Sequence, residues 1–144
     1  MKLNQIINKR GENQIIRHSL NWLGTEEKLE KLFIILNDTY IKKITLTSFK
    51  KVFSFSPIDD NFTPLVWNHS IKKLLYLIRE LVEIKLITAG NNSTKNQLNI
   101  PQKQISDCFI NSKKQSFNKD TLKTTTSRLS SNIDQDIINL INQL

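Results

Sequence analysis

Apolar residues recur along this chain with the period of a helix. Leu29, Leu32, Phe33 and Leu36 fall at i, i+3, i+4 and i+7, which places them on one stripe facing a core. Leu74, Leu77, Ile78 and Leu81 repeat that spacing. The same phrase precedes each stripe: Leu20-Asn21-Trp22-Leu23-Gly24-Thr25 and, 45 residues on, Leu65-Val66-Trp67-Asn68-His69-Ser70. Both copies read L-x-W-x-x-[ST]-x3-L-x2-L-[FI]-x2-L and hold the chain's two tryptophans. Thr25 and Ser70 are N-cap residues by type and position, and Glu26 and Glu27 suit the first turn, where the helix dipole favours acids. The pattern predicts helices over 26–39 and 71–86. Leu75, Tyr76, Val82 and Ile84 widen the second stripe, so that helix should be the most buried element.

Shorter helices follow from weaker versions of the pattern. One starts at Thr47 or Ser48, carries Phe49, Val52 and Phe53, and stops before Pro57, because a residue preceding proline is pushed out of the helical region. Pro101 fits the first turn of a helix over 101–112 with Ile105, Cys108 and Phe109 inward. Asn118 should cap a helix over 118–130 with Leu122, Thr126 and Leu129 inward. A last helix over 133–143 presents Ile133, Ile137, Leu140, Ile141 and Leu144. Residues 1–19 are polar with scattered Ile pairs and suit a short helix or strand. Residues 88–99 read as a polar loop.

The expected fold class is all-α, built as two related helical modules, a pseudo-repeat packed face to face. The expected organisation is an N-terminal segment 1–19, a first module 20–55, a linker 56–64 containing the Asp59-Asp60 turn, and a second module 65–144 with its C-terminal helix. With 144 residues and three glycines and three prolines, the chain lacks the turn density of a β-sandwich or barrel.

Charge changes the picture more than composition does. The formal net charge is +8, which favours contact with polyanions, although 17 of the 21 basic residues are Lys, as an AT-rich coding sequence alone would produce. From Lys85 to Arg128 there are eight basic residues and two acids, +6 of the total. That stretch spans the helices 101–112 and 118–130, which with helix 71–86 resemble a three-helix DNA reader of the helix-turn-helix or winged-helix kind. Lys113, Lys114, Lys119, Lys123, Thr124, Ser127 and Arg128 are the candidate nucleic-acid-binding residues, by their capacity to bond phosphates and base edges. The competing reading is a solvated face with Ser/Thr filler.

Little else points to chemistry. His18 and His69 lack a neighbouring nucleophile or orienting carboxylate. The single Cys108 excludes an internal disulfide and a Cys-rich zinc site. Three scattered glycines make no phosphate loop. No metal, cofactor or catalytic set is expected, and the chain is read as a non-enzyme. The tryptophans, each three residues before a cap, read as staples closing the start of their own helices rather than as platforms for a base. No apolar run approaches membrane-spanning length, and the N-terminus lacks a signal-like apolar region, so a cytoplasmic protein is expected.

The phrase Trp22-Leu23-Gly24-Thr25-x3-Leu29-x2-Leu32 resembles the W-x-G-[ST]-x3-L-x2-L opening of RteC-type proteins, regulators linked to conjugative transposons of Bacteroidetes. The second copy, from Trp67 and Ser70 through Phe109 to Phe117-Asn118-Lys119-Asp120-Thr121-Leu122, is more similar to that family's C-terminal region. The resemblance covers about 65–130, with an echo at 20–40, and departs from the pattern at Asn68-His69. It implies a helical, winged-helix-like DNA-binding regulator of a mobile element. The alternative is a protein-interaction module, or a phage or mobile-element inhibitor, that binds a larger nucleic-acid-processing enzyme, with the C-terminal helix 133–144 as an interface; the partner is then a protein or a second copy of the chain.

Overall fold

Thr25 and Ser70 start their helices with the same set of hydrogen bonds. The Thr25 hydroxyl accepts from the Lys28 amide at 3.2 Å, and the Ser70 hydroxyl from the Lys73 amide at 3.2 Å. Each indole then closes the turn: Trp22 Nε1 donates to the Thr25 carbonyl and Trp67 Nε1 to the Ser70 carbonyl, both at 2.8 Å. The computed structural model describes residues 5–7, 13–90, 100–129 and 134–144. In chain order its elements are β1 (Gln5–Ile7), β2 (Asn13–Ile15), α1 (Glu26–Leu36), α2 (Leu46–Val52), β3 (Leu65–Val66), α3 (Ile71–Glu83), α4 (Gln102–Cys108), β4 (Phe109–Ile110), α5 (Lys119–Ser127) and α6 (Gln135–Ile141). The chain is mostly helical, but the all-α expectation needs correcting for these four short strands.

Helix ends differ from the periodicity, for local reasons. α1 stops at Leu36 rather than 39 because Asn37 turns extended and Asp38 takes a left-handed φ of 62°. The Thr39 hydroxyl then donates to the carbonyls of Ile35 and Leu36, at 2.6 and 2.9 Å. α2 is capped by Thr45, whose hydroxyl accepts from the Ser48 amide at 3.2 Å, not by Thr47 or Ser48. It ends at Val52, with Phe55 left-handed at φ 52°, before Pro57 can act. α3 ends at Glu83, and Lys85 turns the chain at φ 62°.

The second basic pair is also shorter than 101–112 and 118–130. Phe109 adopts φ −130°, ψ 140°, so the stretch that continues the helical spacing of Ile105 and Cys108 becomes strand β4. α5 closes at Ser127 with Arg128 as its C-cap, and α6 starts only after Asp134, whose carboxylate accepts from the Ile137 amide. Ile133 and residues 91–99 of the expected loop lie outside the described residues. The 1–19 segment contributes strands, β1 and β2 pairing antiparallel.

The two tryptophan segments are interlocked. Trp22 donates its amide to the Phe53 carbonyl at 2.9 Å and pairs antiparallel with Ile87, which lies beyond α3. Leu23 N donates to Leu86 O at 2.8 Å and Thr88 N to Asn21 O at 3.1 Å. Trp67 donates to the Ile110 carbonyl at 2.8 Å and pairs antiparallel with Ile41, beyond α1. Asn68 N donates to Tyr40 O at 2.8 Å and Lys42 N to Val66 O at 3.0 Å. Each phrase is thus bonded to the segment leaving the other phrase's helix. β3 pairs parallel with β4, Leu65 with Phe109 and Val66 with Ile110.

One hydrophobic core draws on both halves, from Leu32, Ile41 and Phe49 to Trp67, Leu74, Phe109, Leu122 and Ile137. α3 buries seven residues, Leu74, Leu75, Tyr76, Leu77, Ile78, Arg79 and Leu81, and packs against α5 and α6. Lys73 joins α3 to α6 through Asp134 at 3.3 Å and Asp136 at 3.1 Å. In the 56–64 stretch, Asp59 makes the expected turn, its carboxylate accepting from the Asn61 amide at 2.9 Å, and Phe62 packs on the core.

The glycine that appears in only one phrase has a packing reason. A Cβ on Gly24 would lie 2.5 Å from Leu86 Cδ2 and 3.2 Å from Trp22 Nε1. In the second copy His69 stands in that place, facing Tyr40 with ring centroids 4.6 Å apart. Leu86 and Tyr40 play matching backbone roles, accepting from the Leu23 and Asn68 amides, but only the first pairing needs a small neighbour; the second seats two rings together.

Candidate nucleic-acid interface

The candidate residues sit on α5 and on the connection before it. That connection is a small hairpin: Ile110 pairs with Ser116, and the Asn111 side chain accepts from the amides of Lys113 at 2.9 Å and Gln115 at 3.0 Å. Lys113 and Lys114 form its exposed tip, Lys114 left-handed at φ 62°. Asn118 then caps α5, its side chain accepting from the amides of Asp120 at 2.8 Å and Thr121 at 3.2 Å.

Leu122 and Thr126 hold α5 against the body, with Leu129 just past its end, as the sequence pattern predicts. The Thr126 hydroxyl is buried and donates to the Leu122 carbonyl at 2.6 Å. On the remaining surface Lys119, Lys123 and Ser127 follow at i, i+4 and i+8, with Thr124 and Arg128 as an adjacent i, i+4 row. All five are exposed. The Ser127 hydroxyl donates to the Thr124 carbonyl at 2.7 Å, leaving Ser127 as an acceptor rather than a donor. Among the described residues none of Lys113, Lys114, Lys119, Lys123 and Arg128 joins a salt bridge, whereas Arg17, Lys50 and Lys73 do.

The basic stretch is not one surface. Lys103 lines a cleft with Arg17 and Asp107, Lys85 turns the chain just past the far end of α3, and Lys95 lies outside the described residues. Asp107 marks where cleft and α5 meet. It bonds Arg17 at 2.7 Å, across 90 residues of sequence, with its side chain only 12% exposed. Burial pushes its carboxyl above the ordinary value, against the pull of Arg17, Lys119 and Lys103. Nothing in the local sequence around Arg17 or Asp107 signals this pair.

The remaining reactive side chains are structurally engaged. Cys108 is buried, and desolvation pushes its thiol up to about 12, leaving little nucleophilic thiolate. His18 stacks on Phe55 with centroids 4.3 Å apart. Arg79 donates to the Leu129 carbonyl at 3.2 Å and lies over the Tyr76 ring at 4.9 Å, pinning the end of α5 to α3. Among the described residues no group of three or more His, Cys, Asp or Glu could hold a metal, and no helix is long and apolar enough to cross a membrane. Comparison of the chain with family models, curated proteins and solved structures finds no match.

Proposed function

We propose that this chain is a non-enzymatic DNA-binding regulator, built of two related modules, that contacts duplex DNA through α5 and the hairpin before it. The observation that carries this reading is the set of exposed cations at Lys113, Lys114, Lys119, Lys123 and Arg128, none of them engaged in a salt bridge among the described residues. Lys50 and Lys73 each engage two carboxylates. Lys28, Lys42, Lys43 and Lys51 are also exposed without a salt bridge among the described residues, so what sets the α5 cations apart is their grouping on one helix and the hairpin before it. Cations outside salt bridges are available to displace counterions from phosphates.

The order α3, α4, α5 supports a three-helix reader with α5 as the element entering the major groove. At nine residues α5 is about 14 Å long, enough for its exposed rows to reach phosphates flanking a few base pairs. Thr124 is the side chain best placed for base edges, because Ser127 has committed its proton to the backbone. The hairpin tip at Lys113 and Lys114 precedes α5 rather than following it, so it would grip the backbone from the other side of the helix than the wing of a winged helix does. A role in a mobile element rests on the RteC resemblance of residues 65–130.

The test is duplex binding by the full chain and by a Lys119→Ala/Lys123→Ala/Arg128→Ala variant. The parent should bind at low salt and the variant should lose at least tenfold. A parent that fails to bind any duplex at low salt, or a variant that binds equally, overturns the reading. A stoichiometric complex with an acidic protein, lost in the same variant, would instead favour the interaction module.

A further inference from the structure

A cleft of about 520 Å3 is lined by Arg17, His18, Phe55, Lys103, Gln104 and Asp107, among others. That volume is in the range of small-ligand sites, roughly 300–1,000 Å3. Phe55 is unusual in two ways at once. The residue is 48% exposed, and its backbone is left-handed at φ 52°, a region that bulky residues avoid and that favours glycine. Core packing does not explain a large apolar ring held there. Instead the ring stacks face to face on His18 with an interplanar angle of 10°, a two-ring stack on whose outer face a further flat ring can lie.

Ile16, Ala89 and Pro101 add apolar lining, and the polar lining groups are of mixed sign. Arg17 is bonded to Asp107 but remains 64% exposed, and Lys103 is exposed without a salt bridge among the described residues. The side-chain amides of Gln102 and Gln104, which also line the cleft, have no hydrogen-bond partner among the described residues. A ligand matching this set needs a flat face, an edge of donors and acceptors, and an anionic end. A sugar phosphate lacks the flat face, and a fatty acid lacks the polar edge.

We propose that this cleft binds a nucleoside phosphate, its base extending the Phe55–His18 stack and its phosphate held by Arg17 and Lys103. Gln102, Gln104 and the Asp107 carboxylate line the position of the base edge. The nucleotide is either free or an unpaired member of a nucleic-acid strand; the chemistry is the same. The proposal does not depend on duplex binding by α5.

The test uses the full chain titrated with adenosine and thymidine monophosphates, with ribose 5-phosphate as the base-free control, and with a labelled oligothymidylate. Phe55→Gly removes the ring while relieving the left-handed backbone, so it should keep a cooperative melt and weaken nucleotide binding about tenfold or more. Lys103→Gln should weaken it as well, and Lys28→Ala, an exposed cation of α1 that does not line the cleft, should leave it unchanged. Binding of the monophosphates supports a free-nucleotide site; binding of the oligomer alone supports a strand site. No binding of any base-containing probe, equal binding of ribose 5-phosphate, or a well-folded Phe55→Gly that binds as the parent does overturns the proposal.

Discussion

The backbone of Trp22 pairs with that of Ile87, beyond the far end of α3, while Trp67 pairs with Ile41, beyond α1. Each tryptophan therefore does two jobs. Its indole closes the start of its own helix, at 2.8 Å in both cases, and its backbone anchors the exit of the other helix. The halves of the chain depend on each other for strand partners that neither contains.

This interdependence sets an expectation for folding. The full chain should melt in a single cooperative transition, and a fragment spanning 65–144 should not fold alone, since Ile87 loses Trp22 and Trp67 loses Ile41. Near-ultraviolet circular dichroism through a thermal melt checks both. A fragment that keeps a cooperative melt near the parent's temperature would contradict the interlock.

Gly24 offers a local test of the same pairing. Gly24→Ala places a methyl 2.5 Å from Leu86 Cδ2, an overpacking that typically costs about 1–3 kcal/mol. The low end applies, because the clashing atom ends a flexible side chain. In a Leu86→Ala background the penalty should vanish, and a double-mutant cycle by chemical denaturation measures that coupling. Equal penalties in both backgrounds would show that Leu86 is not the reason for the glycine.

Much of this arrangement is legible in the sequence. The apolar stripes locate α1 and α3, and Thr25, Ser70 and Asn118 are caps by residue type alone. Leu122, Thr126 and Leu129 follow helical spacing and are buried as that spacing requires. The helix ends are hidden because Asp38 and Lys85 turn the chain left-handed with no glycine to signal it. Phe109 misleads for a different reason: it continues the spacing of Ile105 and Cys108, yet Leu65 claims it as a strand partner. The segments 40–42 and 86–88 are too short to show strand periodicity, and their partners are remote. Of the candidate site, the exposed residues of α5 follow from the pattern, but the Arg17–Asp107 pair joins positions with no shared local signal.

Asp107 carries a pH signature of known sign. Its carboxyl lies above the ordinary value because burial outweighs Arg17. A raised carboxyl means the native state holds its proton more tightly than the unfolded chain does. That contribution is full below the unfolded value and is lost as pH rises through the native one. At neutral pH the ionised group therefore costs stability, and Asp107→Asn should leave the melting temperature unchanged or raise it, by less than about 1 kcal/mol in stability terms. The two proteins should converge as pH falls below the carboxylate range. A substitution that destabilises at neutral pH would show that the Arg17 bond outweighs burial.

The most direct test of DNA contact through α5 is the salt dependence of duplex affinity. Each phosphate contact should add about 0.9 to the slope of log K against log salt. If Lys119, Lys123 and Arg128 each meet a phosphate, replacing all three with Ala should reduce that slope by about 3. A slope unchanged by the triple substitution would contradict the account.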